Sequence, residues 1–130
     1  MFVSFLSSKS QRKVLTIEPG YYLKGKYGIR LENVVLVVES TKEVRNSSIP
    51  FLTFEALSLV PFQRRFIDPE TLSAEELKWV NAYHAKVREQ LLSRIALEAE
   101  RGGLSPARKR TSEWILRETE LLLPTSNSVA

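Results

Sequence analysis

The sequence predicts an α+β fold of antiparallel strands followed by two helices. Three observations carry that expectation. Apolar, β-branched runs fill the first half of the chain. Turn-forming Pro and Gly residues separate those runs. Beyond Asp68-Pro69 the apolar spacing changes from alternation to a helical period.

Each element follows from local chemistry. Residues 14–18 are a short β-rich run closed by Pro19-Gly20, a turn dipeptide. The stretch "LKGKYG" offers two glycines for a loop. Residues 29–39, with "NVVLVV" at their centre, form the strongest strand candidate. Residues 40–50 are polar and read as a loop, and residues 52–60 form a third strand ended by Pro61. Three such strands make an antiparallel meander or part of a larger sheet.

Ser73 and Glu76 match a capping box, in which side chains and backbone donors satisfy one another at a helix start. Leu77, Val80, His84, Val87, Leu91 and Ile95 then follow at helical spacing. Gly102-Gly103 ends that helix. Ser105-Pro106 starts a second, with Pro at the first helical position, and Trp114, Ile115 and Leu121 supply its buried side. A tail follows Pro124.

Composition narrows the function. The chain has 130 residues, 43% hydrophobic and 26% charged, which fits one globular domain. It has no cysteine, so disulfides and thiolate metal sites are excluded, and a reducing compartment is consistent. No apolar run reaches membrane-span length, and "MFVSFLSS" lacks the basic flank of a signal peptide. The net charge of +4 raises the question of a polyanion partner. Apart from "RKR" at residues 108–110 the basic residues are scattered, and aromatic residues are not interleaved with them. No nucleic acid and no membrane partner are expected.

Two acids interrupt the strand pattern. Arg30, Glu32, Val34, Leu36 and Val38 fall on one strand face; Ile29, Leu31, Asn33, Val35 and Val37 fall on the other. Both faces are largely apolar, as in a strand covered on both sides, so Glu32 is expected to be buried. A buried carboxylate needs a cation. Glu18 sits at a strand end before a tight turn and raises the same demand. If the strands are neighbours, both carboxylates converge, and hard divalent cations such as Mn²⁺ or Mg²⁺ prefer such oxygens. The alternatives are pairing with nearby Arg or Lys, or a wet strand edge. Two carboxylates alone do not define a metal site.

"TIEPGYY" and "YGIRLENVVLVV" resemble the C-terminal part of the pita-bread metallopeptidase fold, in particular X-prolyl aminopeptidases (aminopeptidase P) of the cytosolic type. The likeness continues through "FLTFEALSLVPFQRRFID", "WVNAYHAKV" and "EWILRET", which are similar to the helical region that follows the catalytic domain there. The resemblance implies the following organisation: residues 1–13 unmatched, 14–66 the last strands of the catalytic domain, 67–123 a helical extension, and 124–130 a tail. It implies a cytoplasmic enzyme that removes an N-terminal residue preceding proline. In that family two Asp, one His and two Glu hold two metal ions, usually Mn²⁺, which activate a water for attack on the peptide bond. Glu18 and Glu32 match the two Glu ligands. Arg30 matches the arginine that orients the acidic ligands.

The family's two Asp and one His ligands lie upstream of "EPG", and residues 1–13 here contain neither residue type. The chain is therefore expected to be a C-terminal fragment, inactive alone on X-Pro peptides. The only histidine, His84, occupies an apolar-phase helix position and reads as structural. Trp79 and Tyr83 lie off the main apolar stripe. Either they pack on the sheet, or they anchor an interface, as in the alternative of a non-catalytic interaction module that forms a homodimer or pairs with a full-length relative. A sheet cut from a larger one is also expected to leave open edges and uncovered apolar faces.

Overall fold

A computed structural model describes residues 13–40 and 51–124. Most of the polar loop expected at 40–50, nearly all of the unmatched segment 1–13 and the tail beyond Pro124 lie outside the described residues. The observed order is five strands, two single 3-10 turns and two helices, so the α+β expectation of antiparallel strands followed by two helices holds. The chain divides into two compact units, 1–58 and 59–130.

In the first unit, β1 (Val14–Ile17), β4 (Asn33–Glu39) and β5 (Leu52–Ala56) form an antiparallel sheet in the order β1-β4-β5. The strands β2 (Gly20–Leu23) and β3 (Tyr27–Arg30) form a separate antiparallel pair. The two ladders share one register. Ile17 pairs with Asn33 at the end of the first, and Gly20 pairs with Arg30 at the start of the second. Between them the Leu31 N–H donates to the Pro19 carbonyl at 2.9 Å. Together they make one long hairpin with an interrupted ladder. The interruption has a cause in Pro19, which has no N–H to give back to the opposite strand.

This corrects the single strand expected at 29–39: Leu31 and Glu32 stand outside both ladders. The third strand is also shorter than expected, ending at Ala56 rather than residue 60. The hairpin turns at Gly25, whose φ of 72° is open to glycine at no steric cost. Gly28 is not a loop residue but part of β3.

Burial in this unit is thin. Asn33 and Val35 are buried in β4, while every residue of β1, β2 and β3 is exposed. Val14, Leu15 and Ile17 keep large apolar surfaces open, as does Phe54 on β5. The strand run that reads as covered on both faces is therefore only half covered within this unit.

The second unit is organised by α1 (Ala74–Gly102) and α2 (Pro106–Glu118). The capping box at Ser73 and Glu76 is formed in full. Gly103, at φ 76°, caps the far end. Ser105 caps α2, accepting from the Arg108 N–H, with Pro106 in its first turn. Val80, Tyr83, His84 and Val87 make the buried face of α1, and Val87 is wholly inaccessible. Burying such a side chain stabilises a fold by about 1.5–3 kcal/mol. Ile115 and Leu122 complete the core with Phe62. Trp114 and Leu121, expected on the buried side of α2, are exposed instead. Within α2 it is Ile115, the neighbour of Trp114, that is buried, and Leu121 is displaced because the chain leaves the helix after Glu118 and turns Leu122 inward, held by Asn81. That amide donates to the Leu122 carbonyl at 2.9 Å and accepts its N–H at 2.8 Å.

Candidate functional site

The site grows from the broken hairpin. The shared register sets Glu18 across from Glu32, one position beyond the Ile17–Asn33 pair. It sets Arg30, paired with Gly20, just past them. Glu18 precedes a proline, which keeps its backbone extended, and the missing Pro19 donor leaves the opposed residues outside the ladder. The local sequence thus presents two carboxylates and one guanidinium on a single short stretch of hairpin.

Arg30 bridges the acids. Its Nη2 lies 2.8 Å from Glu32 Oε2 and its Nη1 lies 3.4 Å from Glu18 Oε2. Thr16 Oγ1 donates to Glu18 Oε1, fixing the other carboxylate oxygen. Glu32 first, then Tyr22 and Glu18, hold the Arg30 guanidinium above its ordinary range, and a hydrogen bond with the Tyr22 side chain adds to this. The expectation that Glu32 is buried is corrected. Its side chain is 42% exposed, that of Glu18 is 40% exposed and that of Arg30 is 47% exposed. Coverage inferred from the apolar run of β4 does not extend to the break, where the chain is outside the sheet.

Tyr22 is the residue that sequence reasoning missed. Its ring lies over the hairpin backbone at two glycines. A Cβ on Gly28 would stand 2.6 Å from Tyr22 Cδ1, and one on Gly20 would stand 2.7 Å from the Tyr22 hydroxyl oxygen. Both glycines are thus sites of close approach, and together they let the phenol reach Arg30. The usable signal was their position: Gly20 pairs with Arg30 and Gly28 with Tyr22.

The donor set is two carboxylates, which is hard-oxygen chemistry suited to Mn²⁺ or Mg²⁺. Among the described residues no group of three or more His, Cys, Asp or Glu could hold a metal ion. What is present fits part of a metal site, with Arg30 as the counter-charge between the acids.

His84 lies in the other unit and is 1% exposed. Its Nε2 accepts the Phe62 N–H at 3.1 Å, as a structural histidine does. Tyr83 is buried too, its hydroxyl donating to the Val60 carbonyl at 2.8 Å, which corrects its placement off the apolar stripe. Trp79 is exposed and stacks on Tyr83 with ring centroids 6.1 Å apart.

Residues 50–122, more than half of the chain, match the C-terminal region of peptidase M24. The chain belongs to the peptidase M24 family. This peptidase M24 chain is 51% identical over 74 residues to a probable Xaa-Pro aminopeptidase P of Fusarium vanettenii, covering 57% of this chain and 12% of the relative. It is 42% identical over 107 residues to Xaa-Pro aminopeptidase 2 of Sus scrofa, covering 82% of this chain and 14% of the relative. The crystal structure of X-prolyl aminopeptidase from Caenorhabditis elegans, described as a cytosolic enzyme with a di-nuclear active site, superposes with a TM-score of 0.67 at 35% identity. That superposition covers 85% of this chain and 16% of the worm chain. The fold is accordingly the C-terminal portion of the pita-bread architecture, and the chain spans only 12–16% of the length of these relatives.

Proposed function

We propose that this chain is the C-terminal portion of an Xaa-Pro aminopeptidase and contributes two carboxylate ligands, Glu18 and Glu32, to its dinuclear metal site. The observation that carries the proposal is the opposition of the two acids across the hairpin break, with Arg30 bridging them. In this reading residues 14–66 supply the last catalytic strands and residues 67–123 the helical extension. The metals are Mn²⁺ or another hard divalent cation, which when bound lower the pKa of a water and polarise the scissile carbonyl. Arg30 holds Glu18 and Glu32 facing one another, and Thr16 fixes the free oxygen of Glu18. The substrates are peptides with proline in second position, and the compartment is the cytoplasm. None of the helices among the described residues is long and apolar enough to cross a membrane.

Two ligands out of five hold a dinuclear centre poorly, and like charges without their metals repel. The 130-residue chain alone is therefore inactive. The test is an assay of the purified chain with Mn²⁺ and an X-Pro peptide: no turnover is expected, and clear turnover abolished by a chelator would overturn the reading. A second reading, self-association or pairing with a full-length relative through the helical region, is favoured by the exposure of Trp79. Sedimentation of the chain and of its Trp79→Ala variant tests it; a monomer at all concentrations sinks it.

A further inference from the structure

The second unit begins at Leu59, and two adjacent residues of α1 tie its first stretch down. Tyr83 donates its hydroxyl to the Val60 carbonyl at 2.8 Å. His84 accepts the Phe62 N–H on Nε2 at 3.1 Å, in a buried setting. The Phe62 ring packs on both, its centroid 4.7 Å from that of Tyr83 and 6.1 Å from that of His84. An imidazole that accepts on Nε2 must be neutral with its proton on Nδ1. That Nδ1 is buried with no acceptor among the described residues.

Protonation would place a hydrogen on Nε2, facing another hydrogen on the Phe62 amide. It would also put a buried cation beside fixed cations. Burial is the largest influence disfavouring the charged form; Arg64 and then Arg88 add to it, and only Glu118 acts the other way. Both arginines are pinned. Arg64 donates to the Arg117 carbonyl at 3.1 Å and pairs with Glu120 at 3.0 Å. Arg88 donates to the side chain and the carbonyl of Thr119.

We infer that His84 is a pH-sensitive latch, which holds the backbone at Phe62 against α1 when neutral and releases it when protonated. The sign follows from linkage. The folded imidazole binds its proton less readily than the free one, so the latch is complete above the ordinary value of about 6.5 and is lost as the pH falls below it. The opened segment takes up one proton. Its population should therefore rise about tenfold per pH unit of acidification, until the latched form itself protonates.

His84 is the only histidine in the chain, so its imidazole C2 proton gives a single titrating resonance. The latch predicts a titration midpoint below about 6.5. It also predicts that Phe62 amide exchange, corrected for the intrinsic rate, accelerates about tenfold per pH unit below that value, with α2 amides unaffected. His84→Gln places a non-titrating acceptor near the same position and should leave Phe62 protection flat between about pH 5 and 7. Three results would each overturn the latch: an ordinary or raised midpoint, an acid slope shared equally by every amide of the unit, or the same slope in His84→Gln. Should that variant not fold, the titration and exchange of the unaltered chain decide alone.

Discussion

Replacing Gly28 with alanine puts a methyl carbon 2.6 Å from Cδ1 and 3.1 Å from Cε1 of Tyr22. Unstrained carbon–carbon contacts lie at about 3.5–4.0 Å, so the ring must retreat by about 1 Å. The ring lies close over the backbone at both Gly28 and Gly20, so a methyl group beneath it pushes it outward. It must lift off, and the phenol then leaves Arg30. In a closed core such overpacking costs about 1–3 kcal/mol. Here Tyr22 is 65% exposed, so the ring escapes into water. The methyl group also restricts the unfolded chain, which offsets part of the cost. The net change in stability is expected to stay within about 1 kcal/mol. The local signature should be large. The Tyr22 ring current on the Gly20 α-protons should collapse, and the Arg30 guanidinium protons should exchange faster. Tyr22→Phe should keep the ring current and change only Arg30. If Gly28→Ala leaves both signals in place, the stacked geometry and its tie to Arg30 are refuted.

The second unit makes further commitments. Ile115→Ala removes a side chain that is 1% exposed and should destabilise by about 2–5 kcal/mol, lowering the melting temperature of that unit by at least about 8 °C; a shift under about 2 °C refutes the placement of α2. Ser73→Ala breaks the capping box and should cost about 0.5–2 kcal/mol in thermal unfolding. The Ser73 backbone and then its side chain hold the Glu76 carboxyl below its ordinary value, so this contribution is complete above about pH 4.5 and is lost on further acidification. Amide exchange at the start of α1 followed across that range should show the loss; Ser73→Ala, which keeps the backbone donor to Glu76, should only weaken its pH dependence, and Glu76→Gln, which does not ionise, should remove it.

The helical half was legible because its signals are local. Ser73, Glu76, Gly103 and Pro106 each act within one turn of themselves. The Tyr83 error came from tracing the stripe as 77, 80, 84 and 87; Tyr83 completes the i, i+3, i+4 set with Val80 and His84. The strand half was less legible because its causes act across the hairpin. Pro19 interrupts the ladder opposite Leu31 and Glu32, where nothing in the nearby sequence marks a break. Gly28 is ambiguous between turn and close approach until the Tyr22 ring is seen on it. The pairing of Glu18, Arg30 and Glu32 was anticipated as one alternative to metal ligation. The structure gives these residues one geometry in which the arginine stands between the acids.

The central claim is that this hairpin supplies two ligands to an aminopeptidase metal site. The direct measurement grafts residues 14–123 in place of the matching C-terminal portion of the Caenorhabditis elegans enzyme, then determines bound Mn²⁺ and X-Pro hydrolysis. The account predicts a chimera that binds metal and turns over, with Glu18→Gln and Glu32→Gln each losing metal and activity while remaining folded. A folded chimera without metal, or variants that bind metal and hydrolyse substrate unchanged, would contradict it.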